Sequence, residues 1–165
     1  MQDIGTCLWF DNQAEEAASF YVSVFAALKG GEGEHTKVLH VARYSEEAAK
    51  TAGRPAGSVM TVTFRLHGRG FMALNGGPLF QLTPAISFMV NCETQQEIDD
   101  LWEKLSEGGK KERCGWLQDK YGVSWQIVPA VLGKLMRDQD SDRPRRVMQA
   151  LLKMDKLDIK GLEQA

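Results

Sequence analysis

The chain has 165 residues, of which 43% are hydrophobic and 25% charged, with a formal net charge of −2. A single compact domain spanning 1–165 would bury about 70% of the surface its unfolded chain exposes, so folding requires no staple. Scattered Lys and Arg exclude a nucleic-acid footprint or a polybasic membrane patch, and no apolar run approaches the roughly 18 residues of a membrane span. The amino-terminal MQDIGTCLWF lacks a basic segment ahead of an apolar one, which makes the cytoplasm the expected location. Cys7, Cys92 and Cys114 are odd in number and show no CxxC spacing, against both a disulfide framework and a zinc knuckle.

In chain order, Ile4 to Phe10 has the apolar, β-favouring composition of a strand. Asn12 with Glu15 predicts a capping box for a helix whose Ala14, Ala17, Ala18, Tyr21, Val22 and Phe25 share one face. Gly30-Gly31 ends that helix. Val38 to Tyr44 is a second strand. Ser45 to Gly57, with Gly53, Pro55 and Gly57, reads as a mobile loop. Ser58 to Leu66 and Phe71 to Asn75 follow as strands, joined at Gly68 and Gly70 and closed by Gly76-Gly77-Pro78.

The order then begins again. Ala85 to Asn91 is a strand, and Thr94 with Glu97 is a second capping box. Ile98, Leu101, Trp102 and Leu105 repeat the helical stripe, which Gly108-Gly109 stops. Trp116 to Lys120 and Val123 to Val128 form a hairpin turned at Tyr121-Gly122. Period-two alternation places Ser124, Gln126 and Val128 on one face of its return strand, with Val123, Trp125 and Ile127 on the other. The element order implies a duplicated βαβββ unit: module one over about 4–77, module two over about 84–129. A helical extension over about 130–165 follows, with a helix over Ala130 to Met136, one begun near Asp142 with Pro144 in its first turn, and a last turn from Ile159.

The chemistry-bearing residues are sparse. His35, His40 and His67 are the only histidines; they fall in the first unit without metal-ligand spacing, so no metal site is read. Phe10 runs into Asp11-Asn12-Gln13 with no glycine, so no S-adenosylmethionine-type loop follows the first strand. Arg143, Arg145 and Arg146, mixed with Asp138, Asp140 and Asp142, read as a solvated helix start. Cys114 stands beside Arg113, Lys110 and Lys111, cations that favour a thiolate, and it competes with the plainer identity of a small buried hydrophobe.

Four stretches together, LWFDNQAEEAASFY, ALNGGP, ISFMVNCETQQEIDDLWEKLSEGG and CGWLQDKYGVSWQIVP, resemble the PhnB-like, demethylubiquinone 3-methyltransferase-like branch of the vicinal oxygen chelate (glyoxalase/bleomycin-resistance/dioxygenase) superfamily. The resemblance covers about Ile4 to Pro129. It implies an α+β fold of two βαβββ modules curled as half-barrel sheets around a cavity, with C-terminal helices, and a homodimer. It also implies that the positions of the superfamily's metal ligands are Thr6, Asn75, Ala85 and Gln126, a set of weak neutral oxygens and one alanine.

The expected function is therefore binding of a small organic molecule in a metal-free cavity walled by Trp9, Asn75, Trp116, Gln118, Trp125 and Gln126, with no cofactor. For each tryptophan the competing identity is an ordinary core aromatic. If the chain is an enzyme, Cys114 is the candidate nucleophile, with Asp119 or Lys120 as acid or base. The alternatives left open are a dimeric sequestration protein that turns nothing over and a divergent metal-dependent lyase or dioxygenase.

Overall fold

A computed structural model describes residues 4–30, 33–138 and 142–165. The chain divides into two compact units, Met1–Leu82 and Thr83–Ala165. Each is an α+β module whose four-stranded mixed sheet does not close into a barrel.

The first unit runs β1 (Thr6–Phe10), α1 (Ala14–Ala26), β2 (Lys37–Arg43), α2 (Glu46–Ala52), β3 (Val59–Leu66) and β4 (Arg69–Asn75). The sheet order is β1-β4-β3-β2, with β1 and β4 parallel. Alternation along each strand sends Leu8, Phe10, Val62, Phe64, Phe71 and Ala73 to one buried face. The helix α1 covers that face with Ala14, Ala17, Ala18, Tyr21, Val24 and Phe25; Tyr21 stacks on Phe64 at 6.2 Å and Phe64 on Phe71 at 5.3 Å. Small residues in the helix's first turns let it approach the sheet, and the aromatic column fills the far end.

Two local expectations are corrected here. The first helix is not capped by Asn12 and Glu15: Gln13 stands at its N-cap without a side-chain bond, and the Ala14 N–H donates instead to Asn75 Oδ1 at 2.8 Å. A carboxamide from the end of β4, 61 residues away, does the capping. The segment read as a mobile loop contains α2, where Ser45 Oγ accepts from the Ala48 N–H and Gly53, at φ 65°, closes the helix.

The second unit repeats the plan with β5 (Ser87–Cys92), α3 (Gln95–Ser106), β6 (Lys110–Lys111), β7 (Trp116–Gln118) and β8 (Ser124–Pro129). Its order is β5-β8-β7-β6, with β5 and β8 parallel. The Thr94–Glu97 capping box forms as expected, and Ile98, Leu101, Trp102 and Leu105 are buried. Three short helices end the chain: α4 (Leu132–Leu135), α5 (Arg143–Leu151) and α6 (Ile159–Glu163). They share a small core of Leu135, Val147, Leu157 and Leu162. Asp142 precedes α5 without a side-chain cap bond. Gly31 and Asp140 lie outside the described residues.

The link between α5 and α6 is tied to the rest of the unit by backbone groups. Met154 O and Asp155 O accept from the Cys114 and Gly115 N–H groups, and Gln95 bonds both Leu157 O and the Ile159 N–H. Among the described residues no helix is long and apolar enough to cross a membrane.

Candidate functional site

Because a helix covers one face of each sheet, the residues of opposite parity form an open face. Strand register assigns them. In the first unit one cross-strand row is Cys7, Met72, Thr63 and His40, and the next is Trp9, Leu74, Thr61 and Ala42. Trp9 is fixed at its edge: Nε1–H donates to Gly77 O at 2.8 Å, and Phe80 meets the ring edge-on at 5.0 Å. A Cβ at Gly76 would collide with that ring, so glycine is what lets the indole lie against the chain. Partial burial pushes the Cys7 thiol up, away from thiolate chemistry.

In the second unit the open face carries one row of Lys110, Gln118, Ser124 and Ser87, and another of Trp116, Gln126 and Met89. Gln126 Nε2 donates to Ser87 Oγ at 2.8 Å, which orients the amide and leaves its oxygen outward-capable. Gln118 Nε2 donates to Gly122 O at 3.3 Å. Trp116 is half-buried, and Met89 is 57% exposed.

Four of the six expected wall residues, Trp9, Trp116, Gln118 and Gln126, thus stand on open faces. Asn75 and Trp125 do not. Asn75 is on the helix-covered face; its Oδ1 caps α1 and its Nδ2 donates to Val59 O at 3.0 Å. Trp125 is 2% exposed against α3, and its Nε1–H donates to Asp119 Oδ2 at 2.8 Å.

The expected catalytic trio is dispersed in role. Asp119, 3% exposed, accepts from the Tyr121 and Val123 N–H groups through Oδ1 as well as from Trp125. It is the internal brace of the hairpin turn, with both carboxylate oxygens engaged by fixed donors. Lys120 is exposed and sets its ammonium 5.1 Å from the Tyr121 ring centre. Cys114 is half-buried with φ 59°, held in that left-handed conformation by the Met154 carbonyl. Ser87 was not read from the sequence as part of the site. The parallel register of β5 on β8, which is a tertiary fact, is what brings its hydroxyl to Gln126.

Two βαβββ modules, each with a helix on one sheet face, define the glyoxalase-like, vicinal oxygen chelate class of fold. Within that class the chain belongs to the 3-demethylubiquinone-9 3-methyltransferase family, the PhnB-like branch, whose model matches residues 2–128. It is similar to a solved PhnB protein from Bacillus cereus, with 36% identity over 78% of this chain and 100% of that chain and a TM-score of 0.65. Protein PA1353 from Pseudomonas aeruginosa shares the fold, at 21% identity over 76% of this chain and 95% of that chain, TM-score 0.58. No curated protein matches the chain.

Neither group implied by that membership finds a fitting donor set. A divalent cation wants carboxylates or imidazoles, yet the eight strands contain no Asp or Glu and a single His, His40. Among the described residues no three His, Cys, Asp or Glu side chains are grouped to hold a metal. Of the positions matched to ligands, Thr6 shares the helix-covered face with Phe71, and both ends of the Asn75 amide are occupied. For S-adenosylmethionine, the β1–α1 turn would have to be an open glycine cradle. It is instead Asp11-Asn12-Gln13, with Asp11 O accepting from Arg54 Nη2 at 2.6 Å and from the Gly77 N–H.

Proposed function

We propose that this chain binds a small, planar, oxygen-bearing aromatic molecule on the open sheet face of its second unit, without a metal and without transferring a methyl group. The family's description names a demethylated ubiquinone, and a quinone or quinol ring has the properties this face complements. The Trp116 indole offers stacking area, while the Gln118 and Gln126 amides and the Ser87 hydroxyl offer neutral hydrogen bonds to ring oxygens. The observation that carries the reading is the absence of carboxylates from every described strand. A face without fixed negative charge accepts an electron-rich ring and has little to hold a cation.

The test is a titration of purified protein with a short-chain 3-demethylubiquinone analogue, followed by tryptophan fluorescence and melting temperature. Saturable quenching and a raised Tm are expected, unchanged by EDTA and weakened by Trp116→Ala and Gln126→Ala. Added S-adenosylmethionine should yield no methylated product by mass spectrometry. Failure of the analogue to bind, loss of binding in EDTA, or appearance of methylated product would each overturn the reading. Any turnover that does appear can be assigned by Cys114→Ala, since this is the one member of the expected trio whose side chain is neither braced within a turn nor fully exposed.

A further inference from the structure

The two lysines of β6 go to opposite sides of the second sheet. Lys111 pairs with Leu117, which is buried under α3, and its Nζ reaches Glu103 of that helix at 2.6 Å. Lys110 pairs with Gln118, so alternation puts it on the open side, in the row it shares with Gln118, Ser124 and Ser87. There it is the diagonal neighbour of Trp116 across β6 and β7, about 7–8 Å away, a span that a lysine side chain crosses.

Lys110 also differs from the other cations around this sheet in having no fixed partner. Lys111 is bridged to Glu103 and Lys156 to Asp99, Arg113 donates to Leu152 O, and Lys120 sets its ammonium against the Tyr121 ring. Lys110 makes no ion pair and no hydrogen bond among the described residues. The Trp116 indole N–H is likewise uncommitted there, whereas Trp9 and Trp125 give theirs to Gly77 O and Asp119 Oδ2. An ammonium and an N–H, both donors, therefore stand diagonally on the face that carries Gln126 and Ser87. Glu112 continues the same edge, its N–H on Trp116 O; its carboxylate works against an anion, but from an exposed position where water and salt screen it.

We infer that the ring bound on this face carries an ionised oxygen and that Lys110 is the residue that selects for it. The inference rests on the reading of this face as an aromatic-ligand site. A ring stacked on Trp116 brings its edge substituents within reach of the Lys110 ammonium and the indole N–H. In a quinone, a free ring hydroxyl is a vinylogous acid: loss of its proton leaves a negative charge shared with a ring carbonyl oxygen. The methyl ether of the same ring has no proton to lose. Lys110 thus separates a demethylated ring from its methylated counterpart by charge rather than by the size of one methyl group.

The test titrates the full chain at neutral pH with two short-chain ligands in the quinone form, a 3-demethylubiquinone analogue and its methyl ether, following tryptophan fluorescence and the visible spectrum of the ligand. The demethylated ligand should bind about fivefold more tightly than the ether, a preference that shrinks with added salt. Its own pKa should fall on binding, seen as the anion's spectrum persisting to lower pH than in free solution. Lys110→Gln should bring the two ligands level and abolish that spectral shift, Lys110→Arg should keep both, and Lys111→Gln, on the helix side, should alter neither. Equal affinities in the wild type, or a preference that survives Lys110→Gln, would overturn the inference while leaving the aromatic-ligand reading in place. Failure of both ligands to saturate would overturn the two together.

Discussion

Replacing Asp119 by Ala separates a structural aspartate from a catalytic one. The side chain is 3% exposed and accepts three N–H groups, from Tyr121 at 2.9 Å, Val123 at 3.0 Å and the Trp125 indole at 2.8 Å. Alanine leaves all three donors without an acceptor. At about 1–3 kcal/mol for each stranded donor, and with less than full additivity because they share one carboxylate, the loss is about 3–5 kcal/mol. That is a large share of the roughly 5–15 kcal/mol by which domains of this size are stable. Asp119→Asn keeps one oxygen for the two backbone donors but turns an NH2 toward the Trp125 N–H, so about 2 kcal/mol is expected. Urea denaturation followed by far-UV circular dichroism measures both. A Cm for Asp119→Ala within error of wild type would refute the brace. Loss of a discovered activity at unchanged stability would return Asp119 to the role of acid or base.

Burial, reinforced by Glu97 and Glu93, pushes the Cys92 thiol up to about 12. A raised folded-state pKa means that the folded chain holds this proton more tightly than the unfolded one, whose thiol titrates near 9.0. The associated stability is therefore complete below pH 9 and is lost as pH rises toward 12; Cys92→Ala should flatten that limb of the stability–pH curve, and native Cys92 should resist iodoacetamide at pH 8. Gly76→Ala drives a methyl into the Trp9 ring and should break the Trp9–Gly77 bond, costing about 1–3 kcal/mol and red-shifting tryptophan emission. Unchanged emission would show that the indole is not seated there. Gln95→Leu strands Leu157 O and the Ile159 N–H, so about 1–3 kcal/mol should be lost. Amide exchange at Cys114 and Gly115, which bond Met154 O and Asp155 O, should accelerate more than exchange in β3. Equal acceleration everywhere would mean that the link between α5 and α6 is not an independent fastening.

The duplicated element order, the Thr94–Glu97 cap, the apolar stripe of α3 and the hairpin over residues 116–129 were all legible in the chain. Each depends on residues within a turn or two of one another, and periodicity reports exactly that range of interaction. Period two also separated Gln126 from Trp125 correctly, so one open face could be read before any sheet was seen. It could not tell which side a helix would cover, and Gln126 and Trp125, on opposite faces, were therefore both assigned to the ligand wall. Strand pairing and helix docking made that choice, and they put Trp125 against Asp119.

What the linear order determined about this protein is a set of local conformations and a family. What only the tertiary structure decided is which polar groups remain available. Asn75 reaches across 61 residues to cap α1, and Asp119 turns into its own hairpin, so each is committed to fixed internal partners. Arg54, which no motif marks, is left with one buried Nε–H that meets no acceptor. The physical reason is that hydrogen-bond capacity is a conserved inventory of each side chain. Which partners consume it depends on contacts between residues distant in sequence, and no local pattern encodes them.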